Sequence, residues 1–138
     1  MIYRNPTPTT DCIIEYEGGI VIITRKNEPH GYALPGGYYE IGITAEENAV
    51  KEAKEETGLD IVITSLHGVY TDPKRDPRQH NISICYIASG SGTLKADSDA
   101  MNAAVYSFDK VRQMIETETF AFDHDKILAD YLARVDAR

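Results

Sequence analysis

Three glutamates fall within five positions, Glu52, Glu55 and Glu56, in the stretch KEAKEETGL at residues 51–59. At 100° per residue, Ala45, Ala49, Glu52 and Glu56 lie within about 60° of one another on a helix, with Glu55 on the adjoining flank. Like charges crowded one turn apart cost a few tenths of a kcal/mol per pair unless cations offset them. Lys51 and Lys54 are two candidate cations. A hard divalent ion is another; Mg²⁺ suits carboxylate oxygens and retained water best, with Mn²⁺ a second choice. The stretch therefore reads either as a solvated helix flank or as a set of metal ligands. Upstream, LPGG ends at Gly37, where paired glycines permit a tight turn or a close approach of backbone to a ligand.

A second group of reactive side chains lies in TDPKRDPRQH, residues 71–80: Lys74, Arg75, Arg78 and His80, stiffened by Pro73 and Pro77. Arginine forks bind phosphate oxygens in pairs, so the segment reads as a phosphate- or sugar-binding loop or as an ordinary exposed connection. Tyr32 and Tyr70 could stack on a base or belong to the core. In AFDHDKIL, Asp123 is placed to cap a helix, and His124 reads as structural rather than catalytic.

The elements that must position these groups follow from pattern. DCIIEYEGGIVIITRK has two β-branched runs around Gly18-Gly19, a hairpin signal. TAEENAVKEAKEETG predicts a helix, with Thr44 and Glu47 forming a capping box and Gly58 suited to the left-handed position past its end. LDIVITSLHGVYTD, ISICYIAS and AAVYSF predict strands. DKVRQMIE and FDHDKILADYLARV predict helices, the second striped by Ile127, Leu128, Tyr131, Leu132 and Val135. The expected class is α/β, a mixed sheet flanked by helices in one domain over residues 1–138.

The chain's 138 residues suffice for one substantial core, and a formal net charge of −8 argues against nucleic acid as a partner. No apolar run approaches a membrane span and the N-terminus has no apolar leader, so no membrane partner and a cytoplasmic location are expected. Cys12 and Cys85 lie in apolar runs and read as buried reduced thiols.

GYYEIGITAEENAVKEAKEETGL, from Gly37 to Leu59, resembles the Nudix box: Gly37, Glu52, Ala53, Glu55, Glu56, Gly58 and Leu59 fall in register. Two positions depart, Ile43 where the box has its first glutamate and Lys51 where it has arginine. PHGYALPGG, GVYTDPKRDPRQH and AFDHDKIL further resemble the ADP-ribose pyrophosphatase branch of Nudix hydrolases.

The resemblance implies a Nudix-type α/β/α sandwich and Mg²⁺-dependent hydrolysis of a small nucleotide, a nucleoside diphosphate linked to another group. ADP-ribose split into AMP and ribose 5-phosphate is the leading expectation. It implies Glu52 and Glu56 as main metal ligands, Glu55 completing the acidic set, backbone from Gly37, and the general base among the three glutamates. It favours Arg75 and Arg78 as substrate-binding residues, with Tyr32 and His80 as further candidates, and makes a homodimer an expected assembly. Relatives often carry a further glutamate where Asn102 stands, with Asp97 or Asp99 as substitutes. With Ile43 and Lys51, this leaves two alternatives: a nucleotide-binding module of weakened activity, and a housecleaning enzyme for nucleoside triphosphates.

Overall fold

The computed structural model describes residues 2–95 and 101–138. The β-branched runs on either side of Gly18-Gly19 form the predicted hairpin, β1 (Thr7–Tyr16) and β2 (Gly19–Arg25), paired antiparallel at Glu15 with Ile20. Two short strands follow, β3 (Gly31–Ala33) and β4 (Gly36–Tyr38), then α1 (Ala45–Thr57). After these come β5 (Asp60–Tyr70), β6 (Asn81–Ser91), β7 (Met101–Ser107), α2 (Phe108–Thr117) and α3 (His124–Asp136). The sheet runs β3-β2-β1-β6-β5, with β4 also paired to β1 and β7 to β2. β1 and β6 run parallel and the other pairs antiparallel, so the sheet is mixed as expected.

Alternation along β1 divides the core between the two faces. Ile13, with Ile20, Ile22 and Ile87, packs against Val111 and Met114 of α2 and Ile127, Leu128 and Tyr131 of α3. Cys12 and Ile14, with Val21 and Ala88, pack against Ala49 and Ala53 of α1. Both faces of the central strands are covered, which is why residues 12–14, 20–23 and 85–88 are continuous apolar runs. Cys12 and Cys85 are free, buried thiols. No helix among the described residues is long and apolar enough to cross a membrane.

The ends of α1 follow their local sequence. Thr44 Oγ1 accepts from the Glu47 amide at 3.1 Å, and Glu47 Oε1 accepts from the Thr44 amide at 3.0 Å. Gly58 takes φ 76°, left-handed backbone that glycine adopts without cost, and its amide donates to Lys54 O at 2.9 Å. Asp123 differs from expectation. It occupies the capping position of α3 but makes no capping hydrogen bond, because the Arg75 guanidinium takes its carboxylate.

Candidate active site

β4 pairs with β1 so that Asp11 faces Gly36 and Thr10 faces Gly37, which lays the double glycine beneath α1. Buried Asn48 fixes the helix there: its Nδ2 donates to Thr10 Oγ1 at 2.7 Å and to Tyr38 O at 3.2 Å, and its Oδ1 accepts from the Glu40 amide at 3.1 Å. The Gly36 amide donates to Glu56 Oε1 at 2.6 Å. A Cβ on Gly37 would lie 2.7 Å from the Glu52 carboxyl carbon, so glycine is what lets that carboxylate rest on the backbone.

The electrostatics match this crowding. Burial pushes the Glu56 carboxyl up to about 8, against the pull of the Gly36 amide, and the charges of Glu52 and Asp11 add to the rise. Burial, then the charge of Glu55, also raises Glu52, which Lys51 partly opposes. Glu55 is more exposed and pairs with Lys51 at 2.7 Å. The same ammonium reaches Glu40 at 3.0 Å, so Glu40 supplies a carboxylate on the loop that also carries Ile43. Hydrogen bonds to Glu55 and Glu40 hold Lys51 firmly protonated.

Asp11, Gly36 and Gly37 line a cleft of about 110 Å³. Its mouth carries Arg25, Arg78, Tyr38 and Phe122. Both guanidiniums lie over the Phe122 ring, Arg25 at 5.3 Å and Arg78 at 5.2 Å from its centre. Phe122 itself has φ 58°, an unusual conformation for a bulky residue and of the kind that gathers at functional sites. The Arg78 fork also binds Asp76, Nε to Oδ1 at 3.1 Å and Nη2 to Oδ2 at 2.9 Å.

The expected site residues divide between this cleft and other places. Gly37, Glu52 and Glu56 come together; Glu55 sits beside them, turned to Lys51. Arg75 reaches the cleft wall but is buried, and its fork is occupied by Asp123, with Nη2 to Oδ1 at 2.6 Å. Arg78 faces the cleft. Tyr32 packs edge-on to Tyr106 at 6.1 Å and tilted on Phe120 at 5.8 Å, outside the lining. His80 is exposed, its Nε2 3.0 Å from Thr71 O, and it too lies outside the lining. Tyr70 donates to Asp130 Oδ2 at 2.9 Å. Asn102 is an exposed β7 residue opposite Thr24. Asp97 and Asp99 lie outside the described residues.

Sequence reasoning missed Asp11, Arg25, Asp76 and Phe122. For Asp11 a signal existed: an acid inside an apolar strand must meet a buried polar partner. The others depended on the fold.

As their side chains are turned, no three His, Cys, Asp or Glu residues among those described are gathered tightly enough to hold a metal ion. Lys51 draws Glu55 aside and the Gly36 amide draws Glu56. The donor set nevertheless fits a hard divalent cation. Glu52 and Glu56 are oxygen donors in a half-dry site that raises both carboxyls, the charge of Glu52 adding to the rise at Glu56, and a cation favours their ionised forms.

Residues 5–131 match the family model described as NUDIX domain. The ADP-ribose pyrophosphatase of Methanocaldococcus jannaschii is 45% identical over 134 residues, covering 95% of this chain and 76% of that protein. The ADPR responsive transcriptional repressor NtrR of Acinetobacter baylyi is 28% identical over 144 residues, covering 96% of this chain and 56% of its own length. Among solved structures, a MutT/nudix family protein from Enterococcus faecalis matches with TM-score 0.82 and 25% identity over 100% of this chain and 65% of its own. The NUDIX domain of Shewanella oneidensis NrtR, complexed with ADP ribose, matches with TM-score 0.80 over 96% of this chain and 90% of its own. At 18% identity that likeness speaks for the fold alone.

Proposed function

The chain belongs to the Nudix family of pyrophosphohydrolases, and from that premise we propose that it hydrolyses ADP-ribose to AMP and ribose 5-phosphate with Mg²⁺ or Mn²⁺. The observation that carries this reading is the buried Glu56 carboxylate, held by the Gly36 amide at 2.6 Å beside Glu52 on Gly37. Glu52 and Glu56 would hold the cation, with Glu55 joining them when it leaves Lys51. Bound there, the cation supplies neutralisation of the pyrophosphate charge and a lower pKa for the attacking water.

The chain's own residues do the rest. The glycine backbone admits the diphosphate close to the carboxylates. Arg78 and Arg25 place positive charge in the cleft beside the glycine backbone, where they can meet the phosphates. A carboxylate of the set Glu52, Glu55 and Glu56 takes the water's proton as its oxygen bonds to one phosphorus and the bond from that phosphorus to the bridging oxygen breaks. The bridging oxygen leaves with the second phosphate, so that AMP and ribose 5-phosphate separate. ADP-ribose is chosen over other linked diphosphates because the M. jannaschii relative named for it is similar over nearly the whole chain.

Purified protein with Mg²⁺ should release AMP and ribose 5-phosphate from ADP-ribose, and Glu56→Gln should abolish that release. A panel of ADP-ribose, NADH, diadenosine polyphosphates and dNTPs tests the substrate. The hold of Lys51 on Glu55 favours one competing reading, a module that binds ADP-ribose without turnover. Tight binding with no product under Mg²⁺ or Mn²⁺ would establish that reading and sink the hydrolase. The expected homodimer is checked by light scattering against the 15.4 kDa monomer.

A further inference from the structure

His124 opens α3 in the AFDH stretch and is buried, yet no step of the hydrolysis uses it. Its Nδ1 accepts from the Leu34 amide at 2.9 Å. An accepting ring nitrogen carries no proton, so the neutral imidazole holds its hydrogen on Nε2. Nε2 faces the carboxylate of Asp11, 3.8 Å from Oδ2. That oxygen accepts from Ser83 Oγ at 2.5 Å, while Oδ1 fills the space a Cβ on Gly36 would need. The charged groups around the ring are Asp11 on β1, Arg25 on β2, Arg75 in the loop before β6, and the neighbouring Asp123.

The segment from Leu34 to Gly37 is thus gripped at two points. His124 holds the Leu34 amide, and Asp11 Oδ1 sits over Gly36 in the space a side chain there would take, while the Gly36 amide meets Glu56 at 2.6 Å. We propose that His124 and Asp11 are positioning residues, a buried clamp between α3 and β1 that fixes the Leu34–Gly37 backbone so that the Gly36 amide holds Glu56 in its working place. The clamp rests on the reading of Glu56 as part of the hydrolytic site.

The test compares wild type with His124→Leu, His124→Asn and Asp11→Asn by two readouts. One is the Gly36 amide resonance and its hydrogen exchange; the other is kcat and KM for ADP-ribose with Mg²⁺. His124→Leu removes the acceptor at similar bulk. It should displace the Gly36 resonance, speed its exchange at least tenfold, and lower kcat about tenfold or more with KM within about threefold. His124→Asn offers an amide oxygen to Leu34 and should recover most of kcat.

A folded His124→Leu with wild-type Gly36 exchange, or with unchanged kcat, overturns the clamp. So does a folded His124→Asn as impaired as His124→Leu, because the loss would then owe nothing to the hydrogen bond. Should His124→Leu fail to fold, Asp11→Asn decides. It keeps an oxygen for Ser83 but loses the charge facing His124, and the clamp requires a displaced Gly36 amide and a lower kcat. Wild-type values of both refute it. If wild type releases no AMP, the hydrolase reading fails by itself, and the Gly36 amide still judges the clamp.

Discussion

Glu56 carries its proton to about pH 8 in the metal-free protein, because burial raises its carboxyl and the charges of Glu52 and Asp11 add to the rise. The folded-state value lies above the ordinary 4.5, so the folded protein binds the extra proton between those two values. This contribution to stability is whole below the window and is lost as pH rises through about 8. Metal-free protein should therefore show a Tm that falls from pH 5 to 8, and Glu56→Gln should flatten the slope; a Tm that climbs through Glu56's window contradicts the assignment. The two glycines separate activity from stability. A methyl on Gly37 meets first the flexible end of the Glu52 side chain, so Gly37→Ala should cost about a hundredfold in kcat/KM with little change in Tm. A methyl on Gly36 meets the Thr10 backbone carbonyl as well as Asp11, so Gly36→Ala should cost about 1–3 kcal/mol of stability.

The start of α3 is where an element is held by tertiary contacts rather than by its own sequence. Asp123 has the residue type of a cap, but its carboxylate binds the fork of Arg75, whose side chain is 3% exposed. Removing one partner of a buried pair leaves the other charge unpaired, so Asp123→Ala should destabilise by about 3–5 kcal/mol, far beyond the ~1 kcal/mol of a lost cap. Urea unfolding measures the difference. α1 is the opposite case. Its cap, its reciprocal glutamate and its terminal glycine are local devices, and each stands where the sequence puts it. Lys51 shows how an element tolerates departure from a pattern: its ammonium bridges Glu40 and Glu55, across loop and helix.

Across the whole molecule, a sheet covered on both faces brings residues of β1, β2, β3 and β4 to one cleft, which the β5–β6 connection and the residues at the start of α3 border. At its edge α1 lays Glu52 and Glu56 against Gly37 and Gly36. An ion that binds only the folded protein stabilises it by mass action. Mg²⁺ at about a hundred times its Kd should add about 2.7 kcal/mol, roughly 10 °C in Tm for a chain of this size. The double variant Glu52→Gln/Glu56→Gln should not respond. A wild-type Tm indifferent to Mg²⁺ would remove the metal from Glu52 and Glu56.

What short-range physics controls is legible in the residues alone. They were enough for the hairpin at Gly18-Gly19, the ends of α1, the apolar stripe of α3, and the shared helix face of Glu52 and Glu56 beside Gly37. These depend on periodicity, capping and glycine geometry, all written within a few residues. Which partner each long polar side chain takes was set by the folded arrangement. Arg75 could have bound substrate and is committed to Asp123; Tyr32 could have stacked on a base and packs on Tyr106 and Phe120. Asp11, an acid inside an apolar strand, lies against Gly36 and faces His124. The reason is distance along the chain. Those partners are many residues apart, and the choice among several chemically equal partners is made by how the sheet and helices close around them.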